Sequence, residues 1–308
     1  MAEFQLQQDI SGLANLVSNI AQTDGDFYTP IPELVLCRCS TTQTPIPCTF
    51  GLGLGVIVQG GKRVTLGGEV SDHKAGQSVI TTLELPMISY VTDVSSEKPY
   101  LGIWLKLDPQ IICQLDAEME PIVSHHKPSM RAISIATLDE GIMDALTRLI
   151  RLLNEPYLLS YIVPLIQREI VIRLLNSEHG PNLRKLAVAE CPSQKISKVV
   201  DWLKQHYTEN MPIDDLANKA HMSSSVFRQH FRAVVGISPL QYVKNLRLQN
   251  ARQLMISEDL DAASAALRVG YESPSQFSRE YRRLFGEPPS RDIKRILKSA
   301  WPKESHLY

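Results

Sequence analysis

The sequence predicts an α+β protein in two parts. An N-terminal antiparallel sandwich or barrel with a helical segment comes first. An all-α domain with two helix-turn-helix motifs joined by a linker helix follows. Three observations predict this. Short β-rich runs alternate with turn signals from about residue 33 to 108, the pattern turns helical after Pro109, and a helix–turn–helix unit occurs twice in the last hundred or so residues. The length of 308 residues suits about two domains. With 44% hydrophobic and 21% charged residues, the composition is that of a globular protein able to bury a core.

In chain order, residues from about 4 to 24 read as a short amphipathic helix with Leu13, Leu16, Val17 and Ile20 at helical spacing. The β-rich runs are Leu34–Cys37, Gly55–Gln59, Arg63–Leu66, Ser78–Thr82, Ile88–Val91 and Tyr100–Leu107, separated by Gly60-Gly61, Gly67-Gly68 and Ala75-Gly76. Prolines 30, 32, 45, 47, 86 and 99 are expected between the runs or at their ends, where they cost no ladder hydrogen bond. Two longer helices are expected at about 138–153 and 158–176. In the second, Ile162, Ile166, Ile170 and Leu174 form one row, widened by Leu165 and Val171. A stripe this apolar must be covered, either by its own barrel or by a second copy as a dimer seam. Residues 179–193, with breakers at both ends, read as a linker. That leaves residues 1–178 as a first domain (barrel about 33–108, helices about 109–178), 194–298 as a second, and 299–308 as a tail.

In the second domain, Ile196, Val199, Val200 and Leu203 mark an entry helix ending near His206. Pro212 and the acidic pair Asp214-Asp215 then open a helix, as the helix dipole favours. His221-Met222-Ser223 turns the chain into a helix over Ser225–Ala233. The plan recurs. Leu216–Met222 matches Ala265–Tyr271 at an offset of 49. After one inserted turn residue the offset is 50, pairing Ser225 with Ser275, Phe227 with Phe277, Phe231 with Tyr281, Gly236 with Gly286 and Pro239 with Pro289. A repeat kept through core aromatics, Gly and Pro indicates a duplicated supersecondary unit. Leu240–Met255 joins the two copies as one long helix.

The whole chain carries a net charge of −1, yet Gln194–Tyr308 has 18 Lys+Arg against 12 Asp+Glu, while residues 1–193 have 14 against 21. A basic module suited to polyanions is therefore attached to an acidic one. The N-terminus has no signal-peptide pattern, no run approaches a membrane span, and the five cysteines (37, 39, 48, 113, 191) form no C-x-x-C pair. These features imply a reduced cytoplasm and no membrane partner. A metal-dependent barrel enzyme would need a His/Glu cluster, and the barrel region offers only His73, with His125-His126 beyond it. The run Gly51-Leu52-Gly53-Leu54-Gly55 leads into no helix start, so it is no nucleotide loop. No cofactor, metal site or catalytic set is expected.

Residues 195–298 resemble the DNA-binding domain of the AraC/XylS regulators. The carrying motifs are Gly236-Ile237-Ser238-Pro239, the run from Tyr242 to Leu254, and Val269-Gly270-Tyr271 through Phe277, Arg279 and Tyr281 to Gly286 and Pro289. The acidic part is similar to the cupin-type sensor half of one branch of that family, across Val56–Arg63 and Lys98–Gly102. The resemblance implies an activator of transcription with double-stranded DNA and RNA polymerase as partners, a small-molecule effector in the barrel, and a homodimer. Two departures stand out: His221 in the first turn, where the family usually has Gly, and Ala265 where a larger aliphatic is common.

In a helix-turn-helix the second helix enters the major groove. That nominates Ser224, Ser225, Arg228, Gln229 and Arg232 in the first motif (about 213–234). In the second (about 264–287) it nominates Pro274, Ser275, Gln276, Arg279, Arg282 and Arg283. Arg pairs with guanine, Gln with adenine, and Ser with base edges or phosphate. Val226, Phe227, Phe231, Phe277 and Tyr281 are expected in the core, Ser223 and Ser273 as caps, and Lys244, Arg247 and Arg252 near phosphates, with helix packing as the other reading of Arg247. Two alternatives stay open: a DNA binder without effector whose barrel only dimerises, and a thiol sensor of electrophiles or oxidants using Cys37, Cys39 or Cys48.

Overall fold

The computed structural model describes residues 2–42, 46–66, 69–119, 132–187 and 192–300. The chain divides into two compact units, Met1–Ser197 with Arg232–Gly236, and Lys198–Phe231 with Ile237–Tyr308.

The first unit starts with helix α1 (Ala2–Ile20). Nine strands follow: β1 (Gly25–Tyr28), β2 (Leu34–Cys39), β3 (Ile46–Phe50), β4 (Gly53–Gln59), β5 (Gly61–Leu66), β6 (Glu69–Lys74), β7 (Gln77–Thr81), β8 (Leu85–Thr92) and β9 (Tyr100–Lys106). Helix α2 (Pro109–Glu118), strand β10 (Ile133–Thr137) and helices α3 (Glu140–Arg151), α4 (Leu159–Leu175) and α5 (Gly180–Ala187) complete it. The strands form two antiparallel sheets, ordered β1-β2-β9-β4-β7-β10 and β3-β8-β5-β6.

All six β-rich runs of the sequence are strands. The four strands the pattern missed are β1, β3, β6 and β10, and they are the four sheet edges. Edge strands carry charge, Gly and Pro because these discourage pairing with another chain, and the same residues erase the alternating pattern. Two proline expectations are corrected on this ground. Pro47 lies inside β3, an edge strand, and Pro86 is the second residue of β8. His125-His126, Gly67-Gly68 and Cys191 fall outside the described residues.

One face of the six-stranded sheet is buried under helices. Leu34, Leu36, Leu54, Ile80, Leu101 and Leu105 pack with Leu13 and Val17 of α1 and with Ile142, Leu146 and Leu149 of α3. Ile166, Ile170 and Leu174 of α4 join the same core and Ile162 packs on it, so the predicted stripe is covered by its own domain. The central row is therefore not free to form a dimer seam, whereas Leu165, which widened the stripe, is exposed. The exposed apolar residues of this region are instead Tyr157, Tyr161, Leu165 and Ile172, with Tyr161 72% and Leu165 63% exposed. Residues 180–187, expected as linker, form α5, which packs on α2 and α4 through the fully buried Leu183.

The second unit holds α6 (Pro192–His206, entering from the first), α7 (Ile213–Lys219), α8 (Ser224–Val235, its last turn from Arg232 grouped with the first), α9 (Pro239–Ser257), α10 (Ala262–Arg268), α11 (Pro274–Phe285) and α12 (Pro289–Ala300). Both ends of α7 and α10 are related by the offset of 49, and both ends of α8 and α11 by the offset of 50. Pro239 and Pro289 each open the next helix, α9 and α12. Each copy keeps its aromatic pair. Phe227–Phe231 and Phe277–Tyr281 both have ring centroids 5.5 Å apart, at 58° and 55°. The glycines ending α8 and α11 share a left-handed backbone, with φ of 88° at Gly236 and 84° at Gly286.

The copies differ where their cores close. In the first, Tyr242 meets Phe231 edge-on at 5.7 Å. Its counterpart in the second is Asp292, fully buried, which accepts a hydrogen bond from the Tyr281 hydroxyl at 2.7 Å. Arg252 of α9 donates to Asp292 twice, at 2.7 and 2.8 Å, and its guanidinium lies 4.7 Å from the Phe285 ring. A buried carboxylate needs such partners to be tolerable. The turns differ too. Gly270 has φ of 86°, and a Cβ there would collide with the Thr208 carbonyl, whereas His221 adopts φ of 52° despite its side chain. Ala265 is fully buried within the core that Val269, Phe277 and Tyr281 line.

Candidate nucleic-acid interface and barrel cavity

Helix α11 begins as a reading helix requires. The Ser273 hydroxyl accepts the Gln276 amide as N-cap, Pro274 holds the first helical position, and Asp261 caps α10 through the amides of Ala263 and Ser264. Phe277 and Tyr281 face the core, so the periodicity turns Pro274, Ser275, Gln276, Arg279, Arg282 and Arg283 to solvent, where all six are exposed. On α8 the buried Phe227 and Phe231 likewise turn out Ser225, Arg228, Gln229 and Arg232. Ser224 is half-buried, and its hydroxyl donates to Asp214, tying the start of α8 to α7. Val226, expected in the core, is 40% exposed, because the core-facing positions of α8 are Phe227 and Phe231. Arg228, Arg232, Arg279 and Arg282 form no hydrogen bond or ion pair among the described residues. The ten nominated residues other than Ser224 thus form two polar, cation-rich helix faces.

The linker helix α9 behaves differently. Over 19 residues it spans about 28 Å at 1.5 Å per residue, against roughly 34 Å for a turn of DNA. Its cations, however, are engaged. Lys244 pairs with Glu280 of α11 at 2.6 Å. Glu280 also accepts from Tyr271 and Gln276; burial raises its pKa, but these three donors outweigh that and hold it below the usual value. Arg247 donates to the carbonyls of Tyr207, Gly270 and Glu209 at 2.6 to 2.8 Å, which is the helix-packing reading. Arg252 is buried on Asp292, and its nomination for phosphate is corrected: leaving Asp292 would strand a charge in the core.

Inside the first unit, the second face of the six-stranded sheet and the four-stranded sheet enclose an apolar cavity of about 740 Å³, its open mouth included. Residues alternating along β5 (Lys62, Val64, Leu66) and β6 (Ser71, His73) line one wall, and Phe50 and Met87 add to it. Cys37, Gly55, Tyr100 and Trp104 line the other. The glycine run finds its reason here. A Cβ at Gly53 would collide with the Trp104 indole, and one at Gly55 would touch it at 3.4 Å, so these glycines make room for the ring, which meets Phe50 at 4.8 Å. Burial lowers the pKa of His73, whose Nε2 lies 2.8 Å from the Ser71 hydroxyl.

Burial also raises the Cys37 thiol to about 12, helped by Asp26, and raises Cys39 and Cys48. Electrophile chemistry needs a thiolate, so none of the three has the surroundings of a reactive cysteine. Among the described residues no cluster of three or more His, Cys, Asp or Glu could hold a metal, and no helix is long and apolar enough to cross a membrane.

A barrel with an internal cavity joined to a duplicated helix-turn-helix domain is the architecture of a class of DNA-binding transcription regulator. Residues 30–182 match the family model for the AraC-type transcriptional regulator N-terminus, and residues 216–295 match a helix-turn-helix domain model. The chain belongs to the AraC family of transcriptional regulators. It is 22% identical over 239 residues to the thermoregulatory protein LcrF of Yersinia pestis, covering 75% of this chain and 88% of LcrF. It is 27% identical over 123 residues to the regulator ExsA of Pseudomonas aeruginosa; that match spans 40% of this chain and 44% of ExsA, less than half of that relative's length. The fold is similar to that of ToxT from Vibrio cholerae, with a TM-score of 0.54 at 10% identity over 85% of this chain and 97% of the other. A fatty-acid-bound ToxT structure aligns with a TM-score of 0.53 at 12% identity, covering 84% of this chain and 94% of that one.

Proposed function

We propose that this protein is a sequence-specific transcriptional activator that reads double-stranded DNA through α8 and α11 under the control of a small molecule in the barrel cavity. The observation that carries the reading is the repeated pair of exposed helix faces, on which Arg228, Arg232, Arg279 and Arg282 have no hydrogen-bond or ion-pair partner among the described residues while the cations of α9 are engaged. A cation kept free of partners on an exposed helix face suits a phosphate or a guanine edge. Ser225, Arg228, Gln229 and Arg232 read one major groove, and Ser275, Gln276, Arg279 and Arg283 the next. Pro274 and Arg282 lie against the backbone, and Ser224 braces α8 from within.

Activation implies contact with RNA polymerase, and the exposed α4 face of Tyr161 and Leu165 suits a homodimer. The cavity has the concave, mostly apolar lining of an effector site, with a few polar groups on its walls, and the fatty acid bound to ToxT supports a ligand inside this architecture. The chain acts through binding, as a regulator and not an enzyme. Fluorescence anisotropy on DNA from upstream of neighbouring genes tests the reading. Arg279→Ala and Gln276→Ala should each weaken cognate binding by about 1–3 kcal/mol and relax specificity at one base pair. Unchanged binding in both variants removes α11 as a reader.

A further inference from the structure

The cavity contains a charge that the protein does not neutralise. Lys62 is on the inward-facing row of β5 with Val64 and Leu66, whereas its neighbour Arg63 points outward and pairs with Asp72 and Tyr90. The Lys62 ammonium lies 4.7 Å from the centre of the Phe50 ring, a wall of the same cavity. No carboxylate lies within ion-pair distance of it among the described residues. Its positive charge is felt by Cys37, Cys48 and His73, three groups that burial keeps uncharged. Asp26, which hydrogen-bonds Cys37, is exposed and does not line the cavity. The remaining polar groups of the lining are the hydroxyls of Ser71, Thr81 and Tyr100 and the neutral His73, beside aromatic and aliphatic side chains.

A lysine on a barrel wall ordinarily carries its head out to water. Here the head is directed onto an aromatic wall, in a space with one positive charge and no negative one. Lys62 is half-buried, so an anion that enters beside it would pair with the ammonium where water is partly excluded and the attraction is stronger than in bulk solvent. We infer that the effector is a monoanionic amphiphile, a carboxylate with an apolar body, whose head pairs with Lys62 while its body lies along Val64, Leu66, Met87 and Trp104. This rests on the cavity being the effector site, and it adds the charge and the contact residue. A cationic or polyanionic ligand does not fit the single charge, and a neutral one leaves Lys62 without a partner.

The test uses the full chain, with calorimetry and thermal shift on decanoate, 4-phenylbutyrate and their methyl esters, all below micelle-forming concentrations. The acids should bind at least tenfold more tightly than the esters. Lys62→Met should abolish that preference while leaving ester binding within about twofold, and Lys62→Arg should retain it. Circular dichroism confirms that the variants are folded; if Lys62→Met is not, Lys62→Gln replaces it. If esters bind as well as acids, or Lys62→Met keeps the preference, the anion inference is overturned while the cavity remains an effector site. If neither acids nor esters bind, the effector reading of the cavity falls and the anion inference with it.

Discussion

Replacing Asp292 by Ala should destabilise the second unit by about 3–5 kcal/mol, the range for breaking a buried ion pair from one side. The structure gives the terms. Asp292 is fully buried, the Arg252 side chain is 8% exposed, and four hydrogen bonds converge on the carboxylate from Arg252, Tyr281 and Arg295. The alanine variant strands the Arg252 guanidinium against Phe285 and leaves the Tyr281 hydroxyl without its acceptor. Asp292→Asn, which keeps the shape and some of the hydrogen bonds, should cost less, about 1–3 kcal/mol. The triple replacement Arg252→Leu, Tyr281→Phe and Asp292→Leu removes the stranded Arg252 and Tyr281 groups, leaves the partly exposed Arg295 its other partner Glu287, and imitates the apolar closure of the first motif by Phe231 and Tyr242; it should recover most of the loss. Because the chain has two units, one global unfolding curve is unsuitable. Hydrogen exchange of peptides from α9, α11 and α12 reads the effect locally. A loss under about 1 kcal/mol in Asp292→Ala, or no recovery in the triple variant, would refute the view that this pair closes the second motif.

Other consequences are equally specific. His221→Gly should stabilise the first motif by about 0.5–1 kcal/mol by relieving the left-handed backbone, and Gly270→Ala should cost more than about 1 kcal/mol; equal and small effects on unfolding would contradict both. His179 is fully buried between the hydroxyls of Ser78 (2.9 Å) and Ser134 (2.7 Å), and burial lowers its pKa to about 4. The unfolded chain takes up that proton near pH 6.5 while the folded one resists to about 4. Stability should therefore fall by up to about 3 kcal/mol as pH drops through that window, a dependence that His179→Gln should flatten in pH-dependent melting. Leu165→Glu on the exposed face of α4 should convert a dimer to a monomer in light scattering; an unchanged mass places the dimer contact elsewhere.

Sequence carried the second unit further than the first. The offsets of 49 and 50 were legible because two copies of one packing problem keep the same aromatics, glycines and prolines, and the helix bounds follow them to the residue. Side-chain roles on α9 were not legible. Lys244, Arg247 and Arg252 are all cations on one helix, and only their neighbours distinguish a carboxylate on α11, three backbone carbonyls and a buried Asp292. Val226 was assigned to the core by its chemistry, but one position on a helix separates it from Phe227. In the first unit the interior strands announced themselves by alternation, whereas the edges hid behind Pro47 and the charges of β6 for the reason that makes them good edges. The stripe on α4 was real and its partner was the unit's own core. Lys62 could have been found as a lone inward cation in an apolar row, had the register of β5 been known.

The central claim is that two helix faces of one chain read neighbouring major grooves. A hydroxyl-radical footprint of the full chain on its cognate DNA tests this most directly. Two protected patches about one helical turn, roughly 10 base pairs, apart are expected. Arg228→Ala with Gln229→Ala should erase one patch, and Arg279→Ala with Gln276→Ala the other. A single patch, or loss of the same patch in both variants, would contradict it.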